Sequence, residues 1–177
     1  MTAAAPEVVH AATSHWHGGP DGAGKVDLGG DASAATRNPS STTGPTTGTD
    51  PENLLCGAVA TCFAITLGYM ATRYGYTDAH VTATATMGNG ADNRMRVLSI
   101  ALSCTFEPAG LPREKLEEAL KKAEKGCIVA RSIGPAVPVS AGLGLRRIRG
   151  RIRGRIRGRG RIRGRGRIRG RGRGPAH

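Results

Sequence analysis

Aromatic residues are scarce. Only Trp16, Phe63, Tyr69, Tyr74, Tyr76 and Phe106 occur in 177 residues, so any core must be built from Ala, Val, Leu, Ile and Met. No stretch reaches the roughly 18 uninterrupted apolar residues of a membrane span. The opening "MTAAAPEVVHAAT" has neither a basic segment nor a proper apolar one, so a secretory signal is not expected. The expected compartment is the cytoplasm, where thiols stay reduced. There is no CxxC or HxxxH spacing for a metal, and "HWH" at His15–His17 reads as a solvated strand edge. Acidic residues are missing altogether from the last segment, and that absence decides the charge.

The formal net charge is +13, but 15 of the 26 Lys and Arg lie between Arg146 and Arg173. The rest of the chain carries 11 basic and 13 acidic groups, so the extreme pI belongs to the tail. Residues 146–177 form an Arg/Gly/Ile low-complexity tail, expected to be disordered in isolation because neither strand nor helix is self-stabilising there. Such a tail would hold nucleic acid or an anionic surface through counterion release. Without aromatics for base stacking, that binding would be non-specific and salt-sensitive. An accidental repeat written over a last strand is the other reading of this segment.

Residues 1–14 read as a disordered N-terminus and 15–145 as one domain, long enough to bury roughly two-thirds of its unfolded surface. Residues 15–49 hold strand candidates at "SHWHG" and "GKVDLGG". "TDPENLLCGAVATCFAITLGYMATRYG" is a helix with Asp50 as N-cap, Pro51 at the first position and Gly75 as stop. Its apolar residues cover nearly every face, which suits a helix buried in a core or at a dimer interface. "AHVTATATM" and "MRVLSIALSCTFE" alternate as antiparallel strands around "GNGADN". "PREKLEEALKKAEKGC" is an amphipathic helix with a stripe of Leu116, Leu120 and Ala123, an i,i+4 pair of Glu117 with Lys121, and Gly126 as stop. "AVPVS" begins a last strand. The fold class is α+β, with helices gathered on one side of an antiparallel sheet.

Four cysteines in a reduced compartment point to buried thiols, metal ligation or redox chemistry. Cys56 and Cys62 lie about 9 Å apart along one helix and roughly 240° around it, too far to bond to each other. Taken singly, a buried cysteine is usually a small hydrophobe.

"GTDPENLLCGAVATCFAITL" resembles the helix signature of the OsmC/Ohr family (osmotically inducible protein C and organic hydroperoxide resistance protein). Gly48, Thr49, Pro51, Glu52, Leu54, Cys62 and Phe63 match, with Asp50 in place of the usual Asn and Thr61 in place of Ala. "LEEALKKAEKGC" resembles the family's second helix, which ends at its second cysteine. The resemblance runs from about His15 to Ser140 and is closest to the OsmC-like branch.

That resemblance implies an OsmC-like fold with a central buried helix and an intertwined homodimer whose active sites lie at the subunit interface. It also implies a thiol peroxidase acting on organic hydroperoxides without a bound cofactor, Cys62 attacking the peroxide and Cys127 resolving the sulfenic acid as a disulfide. The reductant would be an external dithiol, a lipoyl-protein in the Ohr branch. Burial opposes thiolate formation, so such chemistry needs a nearby cation. In the family an arginine supplies it, held by the glutamate of the P-E motif, here Glu52. Ten residues, or about 15 Å, separate Glu52 from Cys62, so Glu52 orients rather than acts as base. The arginine of the Ohr-type "GGRDG" turn is replaced by Pro20, and Arg37 in "AATRNPSS" fits the OsmC-type placement. "CIVARS" lacks the proline that follows the cysteine in many relatives. Cys56 and Cys104 are expected to be buried small residues. The alternatives are an OsmC-like scaffold without peroxidase activity, or non-specific nucleic-acid binding through the tail.

Overall fold

The computed structural model describes residues 7–74, 78–107 and 112–144. The tail of 146–177 and its expected partners, the stop at Gly75 and the aromatic Tyr76 lie outside the described residues. The order of elements is β1 (Thr13–His17), β2 (Ala23–Asp27), β3 (Ser33–Arg37), α1 (Pro51–Tyr74), β4 (Asp78–Asn89), β5 (Met95–Glu107), α2 (Arg113–Gly126), α3 (Ile128–Ile133) and β6 (Val139–Leu143). The first strand begins at Thr13, two residues ahead of the boundary expected from composition.

The first three strands form an antiparallel meander of order β1-β2-β3. Its turns need left-handed backbone, which glycine supplies at Gly18 (φ 94°) and Gly29 (φ 90°). His15 and His17 sit on an exposed edge strand, as expected. The third strand was not expected from the sequence, because "SAATR" offers no large apolar residue to mark a buried face. Its end is fastened to the start of α1: Arg37 N–H donates to Thr49 O and Thr49 N–H to Ala35 O, each at 2.9 Å.

The second sheet has the order β4-β5-β6. The long hairpin β4–β5 is antiparallel, with an irregularity between Thr86 and Met87. β6 departs from the all-antiparallel expectation and pairs parallel to β5. The reason is the connection: α2 and α3 carry the chain back across the sheet, and a helical crossover returns a strand in the direction it left. Gly144 N–H closes this edge on Cys104 O at 2.8 Å. A last strand, Val139–Leu143, thus stands ahead of the arginine repeat.

The core lies between this sheet and the helices. Alternation along β5 sends Ile100, Leu102, Cys104 and Phe106 inward, against Val59, Phe63 and Leu67 at four-residue spacing on α1. Ala119 and Ala123 let α2 approach closely, and Leu120 fills the remaining space. Leu116 is only partly buried but packs on the same cluster. Glu117 pairs with Arg113 at 2.6 Å rather than with Lys121, because the arginine one turn earlier reaches it first. Residues 51–70 are long and apolar enough to cross a membrane, with a mean hydropathy of 1.6. Here that helix is the core element, with one stripe inward and Ile65 (57 % exposed) and Tyr69 (82 % exposed) outward in the single chain.

Cys104 is fully buried, and burial first, then the charge of Glu124, pushes its thiol from 9.0 up to about 11. The unfolded chain ionises this thiol earlier than the folded one. The stability it confers is thus full at neutral pH and is lost as pH rises from 9.0 through about 11. Denaturant unfolding of wild type and Cys104→Ala across that range is expected to show a loss on the order of 2 kcal/mol in the wild type only. Parallel pH profiles for the two proteins would refute it.

Candidate active site

Cys62 sits mid-way along α1, and Cys127 directly follows α2. Their meeting depends on how closely the end of α2 lies on α1. A Cβ at Gly126 would stand 2.9 Å from Thr66 Cγ2, so only glycine admits this approach without displacement. Thr66 Oγ donates to Cys62 O at 2.8 Å, one turn back along α1, and fixes its methyl toward Gly126. Cys127 then turns the chain out of α2, its N–H bonding Ala123 O at 2.8 Å, and caps α3 by accepting Ala130 N–H on Sγ at 3.5 Å. α3 was not expected from the sequence. It is six residues long, and a cysteine is an unusual cap.

The two thiols lie close enough to act on one another, and both are free. Cys127 is fully buried, and burial is the main cause that raises its thiol. The hydrogen bond and charge of Cys62 add to this, while the N–H groups of Ala130 and Val129 work against it. Cys62 is only half-buried and opens into a cavity of about 790 Å³. Leu54, Ala58, Thr61, Ile65 and Tyr69 line one wall at spacings of three and four along α1, and Leu28, Gly126 and Ile128 complete the rim. The wall is mostly apolar, open enough to admit an alkyl chain, and includes Cys62. From sequence, Leu54 and Thr61 were named only as signature positions and Gly126 only as a helix stop, although helical spacing from Cys62 would have found the lining residues on α1.

Arg37 and Glu52 are brought to a different place. Both line a second, more polar cavity of about 440 Å³ with Trp16, Pro20 and Asn38 at the N-terminal end of α1. Asp50 caps α1 as expected, accepting Asn53 N–H at 2.8 Å. The salt bridge of Arg37 goes to Asp50, Nη2 to Oδ2 at 3.5 Å, and not to Glu52 as the family pattern implies. Glu52 Oε2 is buried without a hydrogen-bond partner among the described residues. Asp50 precedes Cys62 by twelve residues, about 18 Å along the helix axis, so this corner is remote from the thiol of the same chain. Cys56 is half-buried and remains a free thiol.

Residues 44–141, more than half of the chain, match the family model described as OsmC-like protein. A curated relative, peroxiredoxin OsmC of Escherichia coli strain K12, is 30% identical over 84 residues. That alignment covers 47% of this chain and 59% of the relative, so the chain spans less than two-thirds of the length of the curated relatives it matches. Among solved structures, an OsmC-like protein of unknown function from Vibrio cholerae superposes with a TM-score of 0.66 at 16% identity, covering 77% of this chain and 99% of that one. The organic hydroperoxide resistance protein OhrB of Bacillus subtilis does so with a TM-score of 0.61 at 23% identity, covering 75% and 97%. These structures share the α+β fold, with its hairpin sheet, core helix and second amphipathic helix. With a family model spanning both thiols, the chain belongs to the OsmC/Ohr family.

Proposed function

We propose that this protein is a cysteine-based thiol peroxidase that reduces organic hydroperoxides to alcohols. The carrying observation is the pair of neighbouring thiols, one buried and one lining a wide, mostly apolar cavity. Cys62 Sγ, as thiolate, attacks the distal oxygen of the hydroperoxide. The O–O bond breaks, the alkoxide leaves with a proton as alcohol, and Cys62 becomes a sulfenic acid. Cys127 Sγ then attacks that sulfur, the S–O bond breaks, water departs, and a Cys62–Cys127 disulfide remains. An external dithiol, such as a lipoyl-protein, returns both thiols to the reduced state. The names of the curated relatives and of the Bacillus structure point to the same chemistry.

The apolar wall favours alkyl and lipid hydroperoxides over hydrogen peroxide, because hydrogen peroxide has no surface to bury there. Among the described residues Arg37 supplies no cation to Cys62 of its own chain, since it lies at the N-terminal end of α1. The family resemblance answers this with a homodimer, and the exposed Ile65, Tyr69 and Ile128 beside Cys62 offer the apolar surface for one. The test is consumption of tert-butyl or cumene hydroperoxide in the presence of a dithiol. Turnover with these should exceed that with hydrogen peroxide by roughly tenfold or more, the equivalent of about 1.4 kcal/mol of burial. No turnover, or a preference for hydrogen peroxide, would overturn the reading.

A further inference from the structure

Two carboxylates stand at the N-terminal end of α1, two residues apart, and only one of them holds the arginine. Asp50 is 5% exposed and is fixed by its neighbours: Oδ1 accepts Asn53 N–H and Oδ2 accepts Asn53 Nδ2, each at 2.8 Å. Its backbone is fastened to β3 through the bonds between Thr49, Ala35 and Arg37. The distance from residue 37 to residue 50 is thereby set by main chain, leaving only the arginine side chain to adjust. Arg37 Nη2 meets Asp50 Oδ2 at 3.5 Å. Glu52 has a longer side chain, and its buried Oε2 receives no donor among the described residues.

We propose that Asp50, rather than Glu52, is the residue that positions Arg37 in this protein. A short carboxylate already immobilised by two N–H donors costs little further side-chain entropy when it pairs. The acid also sits where the N-terminal end of the helix favours negative charge. Asp50 thus acts as cap and arginine anchor at once. The pairing stands independently of the peroxidase reading, and only its consequence for turnover rests on that reading.

The test uses Asp50→Asn, Glu52→Gln and Arg37→Gln, alone and as the two double variants with position 37. Asparagine is as good an N-cap as aspartate, so Asp50→Asn removes the charge while keeping the helix start. Double-mutant cycles on thermal unfolding should give a 37/50 coupling of roughly 3 °C and none between 37 and 52. In the assay, Asp50→Asn should lower kcat/KM for the hydroperoxide about tenfold, as expected for loss of an oriented charge, and leave kcat/KM for the dithiol unchanged. A merely structural role would depress both half-reactions. Glu52→Gln should change either by less than about twofold, since it breaks no bond. A 37/52 coupling equal to or larger than the 37/50 one overturns the proposal, as does Asp50→Asn turnover at or above wild type. If wild type and Cys62→Ser turn over alike, the peroxidase reading fails, and the unfolding cycles still decide the pairing.

Discussion

Cys62→Ser is expected to reduce turnover of organic hydroperoxides to the uncatalysed background, a loss of roughly 10³-fold or more. The replacement is nearly isosteric and changes neither the apolar wall nor the stripe of Val59, Phe63 and Leu67 that anchors α1 in the core. What it removes is a soft, ionisable nucleophile. A serine hydroxyl ionises too weakly at neutral pH to attack a peroxide oxygen, and it has no counterpart of the reversible sulfenic acid. The measurement is hydroperoxide consumption under saturating dithiol, alongside a melting curve to show that the variant is folded. Cys56→Ser is the paired control, since Cys56 lines neither the cavity nor the contact with Cys127. Equal rates for wild type and Cys62→Ser would end the assignment of this cysteine, whatever the overall activity.

The parts of the fold that could be read from sequence are those where one physical rule acts alone. The start of α1 followed from Asp50 and Pro51, and Asp50 does cap the helix. The β4–β5 hairpin followed from strict alternation on both sides of a glycine-containing turn, and the inward set of Ile100, Leu102, Cys104 and Phe106 is that alternation realised. Elements set by tertiary contacts were not legible. "SAATR" becomes β3 because it fills the place between β2 and the start of α1, not because of its own pattern. α3 exists because Cys127 must turn away from α2 and caps six residues as it does so. The parallel direction of β6 is imposed by the crossover before it.

The site divides in the same way. Cys62 and Cys127 were named through the motifs they end or occupy, and their contact rests on Gly126 lying against Thr66, a close approach that sequence spacing does not reveal. Arg37 and Glu52 were linked by family pattern, but the structure gives the arginine to Asp50. The signal was present as Asp50 standing where relatives carry an amide. Its meaning needed the position of β3. A substitution that adds a charge beside an arginine is a change of partner until geometry says otherwise.

Cys127→Ser should separate the two halves of the reaction. Serine can still accept Ala130 N–H, as Cys127 Sγ does, so the start of α3 is expected to persist. Burial raises the Cys127 thiol, which therefore carries its proton into the contact with Cys62. In the proposed resolution that proton would leave with the sulfenic oxygen as water while the S–S bond forms. Without the second sulfur, the first equivalent of hydroperoxide should be consumed at the wild-type rate. Cys62 would then rest as sulfenic acid, detectable by dimedone labelling and absent from the wild type under the same dithiol. Steady-state turnover should fall by on the order of 100-fold, because an external thiol must reach a half-buried sulfur instead of finding a preplaced one, an advantage of proximity. Continued turnover at the wild-type rate, with no labelled sulfenic acid, would mean that the dithiol reduces Cys62 directly and that the buried partner is a packing residue.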